Sequence, residues 1–124
     1  MEIFNIYLSF VIPVYNEEVT IKPLFERILD VMNSGKIDNY EIIFVDDGSS
    51  DRSWIEINKL IKKHPRQVKG IRLRRNFGKS SALSAGFKKT RGNIIFTLDA
   101  DLQDDPAEIP KFLEKLDSGY DLVS

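Results

Sequence analysis

Residues 8–14 read Leu-Ser-Phe-Val-Ile-Pro-Val, a short apolar run rich in β-branched and aromatic residues, and the polar stretch Tyr15-Asn16-Glu17 follows it. A run of this length that is almost continuously apolar is typical of a strand covered on both faces. The sequence therefore predicts a first strand over Leu8–Val14, inside a sheet with helices on both sides.

Three further short runs predict strands, and each is bounded by turn residues. They are Ile42–Val45, Val68–Leu73 and Ile94–Leu98. The first and last of these are almost wholly apolar, as in a buried parallel strand. The middle run alternates its apolar residues with Arg72 and Arg74, so we expect it at an edge of the sheet.

Helical patterns separate these runs. Apolar residues recur at helical spacing over 21–32, 54–61 and 109–116, and a weaker helical segment rich in Ser, Ala and Gly covers Lys79–Thr90. Alternation of strands and helices gives a mostly parallel sheet with helices on both faces. The sequence therefore predicts an α/β fold with three layers, α/β/α.

Length and composition limit the class of protein. With 124 residues the chain is long enough for one domain with a core. Its net charge of −1 gives no general attraction to nucleic acid or to an anionic membrane. The absence of cysteine excludes a disulfide framework and thiolate chemistry. The apolar stretch 7–15 falls far short of the ~20 residues of a membrane span, so we expect a cytoplasmic domain.

The last residues, Tyr120–Ser124, begin another strand-like run and then stop. Because a domain rarely ends inside a buried strand, we expect the chain to be truncated at its C-terminus. Any membrane association would then depend on parts that follow.

Polar residues crowd the ends of the four predicted strands. They read Tyr15-Asn16-Glu17-Glu18, Asp46-Asp47-Gly48-Ser49-Ser50-Asp51, Arg74-Arg75-Asn76-Phe77-Gly78-Lys79 and Asp99-Ala100-Asp101-Leu102-Gln103-Asp104-Asp105. In an open parallel sheet, ligands bind in the crevice beyond the carboxyl ends of the strands. We therefore expect a binding site built from these four segments.

Asp99 and Asp101 are candidates for a metal site. If the chain stays extended past Leu98, the period of two puts both carboxylates on one side. Two close carboxylates repel unless a cation lies between them, and Mg²⁺ or Mn²⁺ suits such oxygen ligands. The alternative is a solvated acidic loop, which explains Asp105 as a helix cap before Pro106 but leaves the other two acids without a role.

The pair Asp46 and Asp47 leaves two interpretations open. A turn over 47–50, with a helix cap by Ser50 or Asp51, accounts for part of this segment. Because one acid or hydroxyl suffices for a cap, at least one carboxylate of the pair would be spare. A carboxylate at a strand end can accept hydrogen bonds from a base or a ribose.

The two remaining segments are less specific alone. Pro13 and Glu17 fit a strand-to-helix turn. Gly78-Lys79-Ser80 resembles the end of a phosphate-binding loop, but Leu73 stands where that motif requires its first glycine. A basic turn that opens a small-residue helix can still place backbone amides near a diphosphate. A closely packed helix with a charged lead-in is the alternative.

Together, four segments resemble the inverting glycosyltransferases of family 2, which have the GT-A fold. The matching segments are Val11–Glu17, Val45–Ser49, Arg75–Lys79 and Leu98–Gln103. One lies at each strand end, and they span almost the whole chain. Together with Pro106–Pro110, the last two are similar to the polyprenyl-phosphate branch, which includes dolichyl-phosphate mannose synthases and bacterial undecaprenyl-phosphate sugar transferases.

The resemblance implies a role for each position. The residues near the first two strand ends would hold the base and ribose of a UDP- or GDP-sugar, and those after the fourth strand would ligate the Mg²⁺ or Mn²⁺ that bridges the diphosphate. The implied donor-site residues are Pro13, Tyr15, Glu17, Asp46, Asp47, Lys79, Asp99, Ala100 and Asp101. The implied metal ligands are Asp99, Asp101 and Gln103, and the implied catalytic residues are Asp99 and Asp101.

The resemblance also implies an acceptor, a polyprenyl phosphate such as undecaprenyl or dolichyl phosphate. This acceptor is already ionised, so its demand for a general base is small. In the family, the base and the acceptor-phosphate site come later in the chain. Residues 1–124 would therefore form the nucleotide-sugar-binding part of a GT-A domain, at the cytoplasmic face of a membrane and without a nucleic-acid partner.

Three alternatives remain. A family 2 transferase can act on a cell-surface glycan instead of a lipid. A nucleotidyltransferase uses a related sheet and metal, but it usually has a glycine- and arginine-rich loop where this chain has the acidic segment 16–18. A non-catalytic, receiver-like module also gathers acids at strand ends, but it takes its acidic pair from the first strand.

Overall fold

Four parallel strands and four helices alternate in the computed structural model, which describes residues 6–102 and 105–117. In order, they are β1 (Leu8–Val14), α1 (Ile21–Ser34), β2 (Tyr40–Asp46), α2 (Ser53–Lys63), β3 (Val68–Arg72), α3 (Lys79–Phe87), β4 (Ile94–Thr97) and α4 (Glu108–Asp117). Each matches a predicted element to within a few residues, while the strand expected at Tyr120–Ser124 lies outside the described residues. None of these helices has the length and apolar character needed to cross a membrane.

The strands lie in the order β3-β2-β1-β4, and every neighbouring pair is parallel. This order confirms β3 at an edge of the sheet. Leu8 of the central strand β1 pairs with Tyr40 of β2 on one side and with Ile94 of β4 on the other. The chain moves outward from β1 through β2 to β3 and then returns past β1 to β4. The order in which strands are added to the sheet therefore reverses between β1 and β4, while all strands stay parallel.

Helices cover both faces of the sheet, which confirms the three-layer α/β/α prediction. Leu8, Phe10 and Ile12 of β1 point into the larger core, which α1, α2 and α4 complete. Val11 points to the opposite face and packs in a smaller core with Ala82 of α3. Right-handed crossovers explain this division, because the outward connections and the returning connection fall on opposite faces.

Candidate functional site

A cleft of ≈ 420 Å³ opens at the carboxyl edge of the sheet, among the loops that follow the four strands. Its position agrees with the rule that ligands bind at the switch point of an open α/β sheet, where the strand order reverses. Its volume is in the range of small-molecule sites. The lining residues are Pro13, Val14, Tyr15, Glu17, Asp47, Asn76, Gly78, Lys79, Asp99, Ala100 and Asp101.

The cleft brings together the predicted site residues, with two exceptions. Asp46 is fully buried and does not line the cleft, and Gln103 lies outside the described residues. Val14, Asn76 and Gly78 line it although the sequence reasoning did not select them. Asn76 and Gly78 belong to a segment that carried the family resemblance, so a signal was present there. Val14 also lies in such a segment, but as an apolar strand residue it carried no chemical signal of its own.

The loop after β1 is fixed by hydrogen bonds to the loop after β2. The Asn16 N–H donates to Ser49 Oγ at 2.9 Å, and Asn16 Oδ1 accepts the Ser50 N–H at 2.8 Å. Asn16 has a φ of 52°, a left-handed conformation that asparagine adopts more readily than most residues. This bracing leaves the Tyr15 side chain at the cleft, with 48% of its surface exposed.

Asp47 connects the loop after β2 to the loop after β3. Its Oδ1 accepts the Phe77 N–H at 2.8 Å, and its Oδ2 accepts the Gly78 N–H at 3.0 Å. Beside it, Gly48 has a φ of 74° and lies so close to the Arg75 backbone that a Cβ there would overlap it. The two loops therefore form one continuous wall of the cleft.

Asp51, and neither acid of the preceding pair, binds the first backbone N–H of α2, although the N-cap residue Arg52 makes no side-chain cap bond. Its Oδ1 accepts the N–H of Ser53, the first residue of the helix, at 2.8 Å. Asp46 Oδ1 accepts the Ser49 N–H at 3.1 Å, and its buried Oδ2 has no hydrogen-bond partner. Asp46 and Asp47 thus both bind backbone N–H groups. Each of them holds a different loop, and a ligand contact by either carboxylate stays a prediction.

The acids after β4 reach the cleft through a turn. β4 ends at Thr97, one residue before its predicted end, and the chain turns at Ala100 and Asp101 instead of staying extended. Ala100 is buried within this turn. Both Asp99 and Asp101 line the cleft, as predicted, although the extended chain on which that prediction relied is absent.

A lysine pairs with one of these acids. Lys79 Nζ lies 2.6 Å from Asp99 Oδ1, and the two side chains are 61% and 38% exposed. Lys79 is the first residue of α3, and the preceding Gly78 has a φ of 105°, which favours glycine. Asp47, in the loop after β2, accepts the Gly78 N–H and so fixes the backbone just before α3. The start of α3, and with it Lys79, is positioned by this contact.

Asp99 and Asp101 supply two carboxylates of the kind that hard divalent cations prefer. Within residues 6–102 and 105–117, no three or more His, Cys, Asp or Glu side chains form a group that could hold a metal ion. The third predicted ligand, Gln103, lies outside these ranges. The described part of the cleft therefore offers two of the three predicted ligands.

Asp105 has the capping role expected from the sequence. Its Oδ1 accepts the Ala107 N–H at 3.0 Å, and Arg27 Nη2 lies 3.2 Å from the same oxygen. The Ala107 hydrogen bond, followed by Arg27, holds the pKa of Asp105 below its ordinary value. Asp105 does not line the cleft, so its role is separate from that of Asp99 and Asp101.

A family model, Glycosyl transferase family 2, matches residues 9–124. A similar curated relative is the undecaprenyl-phosphate 4-deoxy-4-formamido-L-arabinose transferase of Edwardsiella ictaluri. It is 45% identical over 118 residues, which make up 94% of this chain and 36% of the relative. The chain thus spans about a third of the length of such relatives.

Two solved structures share the architecture. The glucosyl-3-phosphoglycerate synthase of Mycobacterium tuberculosis, in complex with UDP, has a TM-score of 0.66 and 28% identity, covering 93% of this chain and 41% of its own. The mannosyltransferase PcManGT of Pyrobaculum calidifontis, in complex with GDP-Man and Mn²⁺, has a TM-score of 0.63 and 25% identity. That likeness covers 77% of this chain and 28% of the mannosyltransferase.

Proposed function

The chain belongs to glycosyltransferase family 2 and has the α/β architecture of GT-A glycosyltransferases, and we propose that its cleft binds the nucleotide-sugar donor for sugar transfer to a polyprenyl phosphate. One observation carries this proposal: a single cleft at the switch point of the sheet is lined by Tyr15, Lys79, Asp99 and Asp101. Family membership favours this function over a nucleotidyltransferase or a receiver-like module. In this proposal, residues 1–124 form the donor-binding part of a longer domain.

The nucleoside lies against the loop after β1. Tyr15 offers a half-exposed ring on which a base can stack, and Pro13 and Glu17 line the same part of the cleft. Asp47 lies opposite, as an acceptor for the base or the ribose, while buried Asp46 supports the same loop from behind. The UDP and GDP-Man bound to the two solved relatives support a nucleotide of either kind.

The diphosphate lies at the start of α3. Lys79 provides a cation there, and the first N–H groups of the helix provide a favourable dipole for an anion. These groups neutralise and orient the donor, so that its anomeric carbon faces the side of the cleft from which the acceptor arrives.

The donor set at Asp99 and Asp101 fits Mg²⁺ or Mn²⁺, with Gln103 as the third proposed ligand. When bound, such an ion neutralises the charge that develops on the diphosphate leaving group. The Mn²⁺ bound to the solved mannosyltransferase supports this assignment.

The reaction is a single displacement with inversion. A phosphate oxygen of the acceptor forms a bond to the anomeric carbon, and the bond from that carbon to the diphosphate breaks on the opposite face, releasing UDP or GDP. The acceptor oxygen is already ionised and needs no strong base. The undecaprenyl-phosphate relative supports this acceptor, which would place the reaction at the cytoplasmic face of a membrane.

Calorimetry tests the donor site. We expect UDP or GDP to bind more tightly with Mn²⁺ than with EDTA. Asp101→Ala should reduce the metal-dependent affinity by about tenfold or more, because one of few ligands is lost. Asp38→Ala, which changes an exposed acid before β2, is the matched control and should bind as the unaltered protein does.

Two results would contradict the proposal. Equal nucleotide affinity with Mn²⁺ and with EDTA would exclude the metal site. Transfer of labelled sugar by the full-length protein to a soluble glycan, and none to undecaprenyl phosphate, would exclude the lipid acceptor and favour a cell-surface glycan.

A further inference from the structure

Lys79 stands at a position that a helix by itself disfavours. It is the first residue of α3, where the helix dipole is positive, and the first turn of α3 contains no acidic residue. A cation at this end raises the energy of the helix unless an anion lies close by. Asp99 is an anion close to it, with its Oδ1 2.6 Å from Lys79 Nζ.

Backbone contacts fix the main chain just before Lys79. Asp47 accepts the N–H groups of Phe77 and Gly78, which fixes the turn before α3. The Lys79 side chain remains 61% exposed, so its ammonium can move within the cleft at small cost while its Cα stays in place.

If the cleft binds a metal and a diphosphate, each member of the Lys79–Asp99 pair gains a second partner: the metal for Asp99 and the diphosphate for Lys79. A divalent cation that takes Asp99 and Asp101 competes with the ammonium for Asp99, because both cations are attracted to the same carboxylate. The ammonium then has a new anion within its reach, the donor diphosphate, which lies at the start of the same helix in the proposed function.

We propose that Lys79 is an exchangeable counter-cation, which neutralises Asp99 in the donor-free protein and moves to the diphosphate when the metal and the donor bind. This inference rests on the proposed function, since it requires both ligands to share the cleft. It makes metal and donor binding mutually dependent: Lys79 opposes binding of the metal alone and favours binding of the metal together with the donor.

The proposal predicts opposite effects from one substitution. In Lys79→Met, Mn²⁺ alone should bind about fivefold more tightly, since an exposed ion pair of about 1 kcal/mol no longer competes for Asp99. With Mn²⁺ saturating, UDP and GDP should bind about fivefold or more weakly, because the diphosphate has lost a cation. A residue that only stabilises the fold would not change the two affinities in opposite directions.

The experiment measures free Mn²⁺ by electron paramagnetic resonance in the purified full-length protein, without nucleotide, and then UDP and GDP affinity by calorimetry at saturating Mn²⁺. Lys89→Met is the control for net charge, since this exposed lysine lies beyond the opposite end of α3. Lys79→Arg keeps the cation and should bind Mn²⁺ as the unaltered protein does.

The outcomes separate this inference from the proposed function. Metal-dependent nucleotide binding, together with unchanged or weaker Mn²⁺ binding in Lys79→Met, would overturn the counter-cation role alone. Nucleotide binding that is independent of Mn²⁺ in the unaltered protein would overturn both. Equal gains of Mn²⁺ affinity in Lys79→Met and Lys89→Met would show an effect of net charge and would also overturn the inference.

Discussion

At the scale of a single residue, the Asp47 carboxylate joins the two loops that form one wall of the cleft. Each of its oxygens accepts one backbone N–H, from Phe77 and from Gly78, and its side chain is almost fully buried. Both hydrogen bonds are partly buried, so an N–H that loses its acceptor there is only partly compensated by water. The start of α3, and with it Lys79, therefore depends on this side chain.

Asp47→Asn tests this dependence. Asparagine keeps the size of the side chain but replaces one acceptor oxygen with an NH₂ group, so one of the two N–H groups loses its partner. We expect the free energy of unfolding to fall by about 1–3 kcal/mol, measured by urea denaturation. Hydrogen exchange at Phe77 or Gly78 should also become faster.

Asp38→Asn is the matched control, since Asp38 is exposed and lies before β2. A surface change of this kind should alter stability by no more than about 0.5 kcal/mol. If Asp47→Asn were as stable as this control and exchanged its amides equally slowly, the two hydrogen bonds would not carry the wall.

The sequence identified the acids of the cleft more easily than their partners. Asp99 and Asp101 stand two positions apart, so their proximity follows from local geometry alone. The bonds from Asp47 to Phe77 and Gly78 join positions about thirty residues apart, and no local pattern predicts them. The same limit made Asp46 look available for a ligand, although the fold buries it.

At the scale of elements, the close packing of α3 on the sheet explains why its helical pattern was the weakest in the sequence. The helix packs against β1 and β2 through Ala82 and Gly86, which are both buried. At Gly86 the backbone approaches Val11 so closely that a Cβ would overlap the Val11 Cγ1 atom. Small residues on this face allow the close approach, and they also remove the large apolar side chains by which a helix is normally detected.

Gly86→Ala tests the close approach. Overpacking of a tight interface costs about 1–3 kcal/mol, and the better helix propensity of alanine returns at most about 1 kcal/mol. We therefore expect a net loss of stability in urea denaturation. Ser84→Ala, at an exposed position of α3, gains propensity without the overlap and should be neutral or slightly stabilising. Equal stability of the two variants would mean that α3 can shift away from the sheet.

The strands were easier to predict than α3, because their buried residues are large and apolar. β1 is an almost continuous apolar run and was predicted at its observed ends. β2 is longer than its predicted run Ile42–Val45 because it also contains Tyr40, Glu41 and Asp46. A charged residue inside a buried strand breaks the apolar pattern, so that pattern did not include Glu41 in the predicted strand.

Across the whole molecule, Glu41 of β2 links β1, β3 and the segment before β4 at the amino edge of the sheet, opposite the cleft. Lys69 Nζ of β3 donates to Glu41 Oε1 at 2.7 Å, and the Ser9 hydroxyl of β1 donates to Oε2 at 2.6 Å. The Arg91 N–H, just before β4, donates to Oε2 at 2.6 Å. Ser9 Oγ also accepts the Gly92 N–H at 2.8 Å. One buried carboxylate thus satisfies donors from segments on both sides of β2.

This network makes stability depend on pH in a defined direction. Burial alone would raise the pKa of Glu41, but the hydrogen bonds from Lys69, Ser9 and Arg91 outweigh it and leave the pKa below its ordinary value of 4.5. A carboxyl whose pKa is lowered by folding adds stability above its unfolded pKa and loses it as the pH falls toward the folded pKa. The contribution of Glu41 should therefore be complete near neutral pH and decline below about pH 4.5.

Glu41→Gln isolates that contribution from the other acids. At pH 7 we expect the variant to be less stable by about 1.5–3 kcal/mol, because the buried carboxylate loses its charge while the partly exposed Lys69 keeps its own. The difference from the unaltered protein should shrink below pH 4.5, because Glu41 then takes up a proton in the unfolded chain more readily than in the folded protein. Glu26→Gln, which removes an exposed partner 3.9 Å from Lys22, should cost less than about 1 kcal/mol at either pH. A difference for Glu41→Gln that stayed constant from pH 7 to pH 3.5 would mean that the network is held by shape and hydrogen bonding and not by the charge of Glu41.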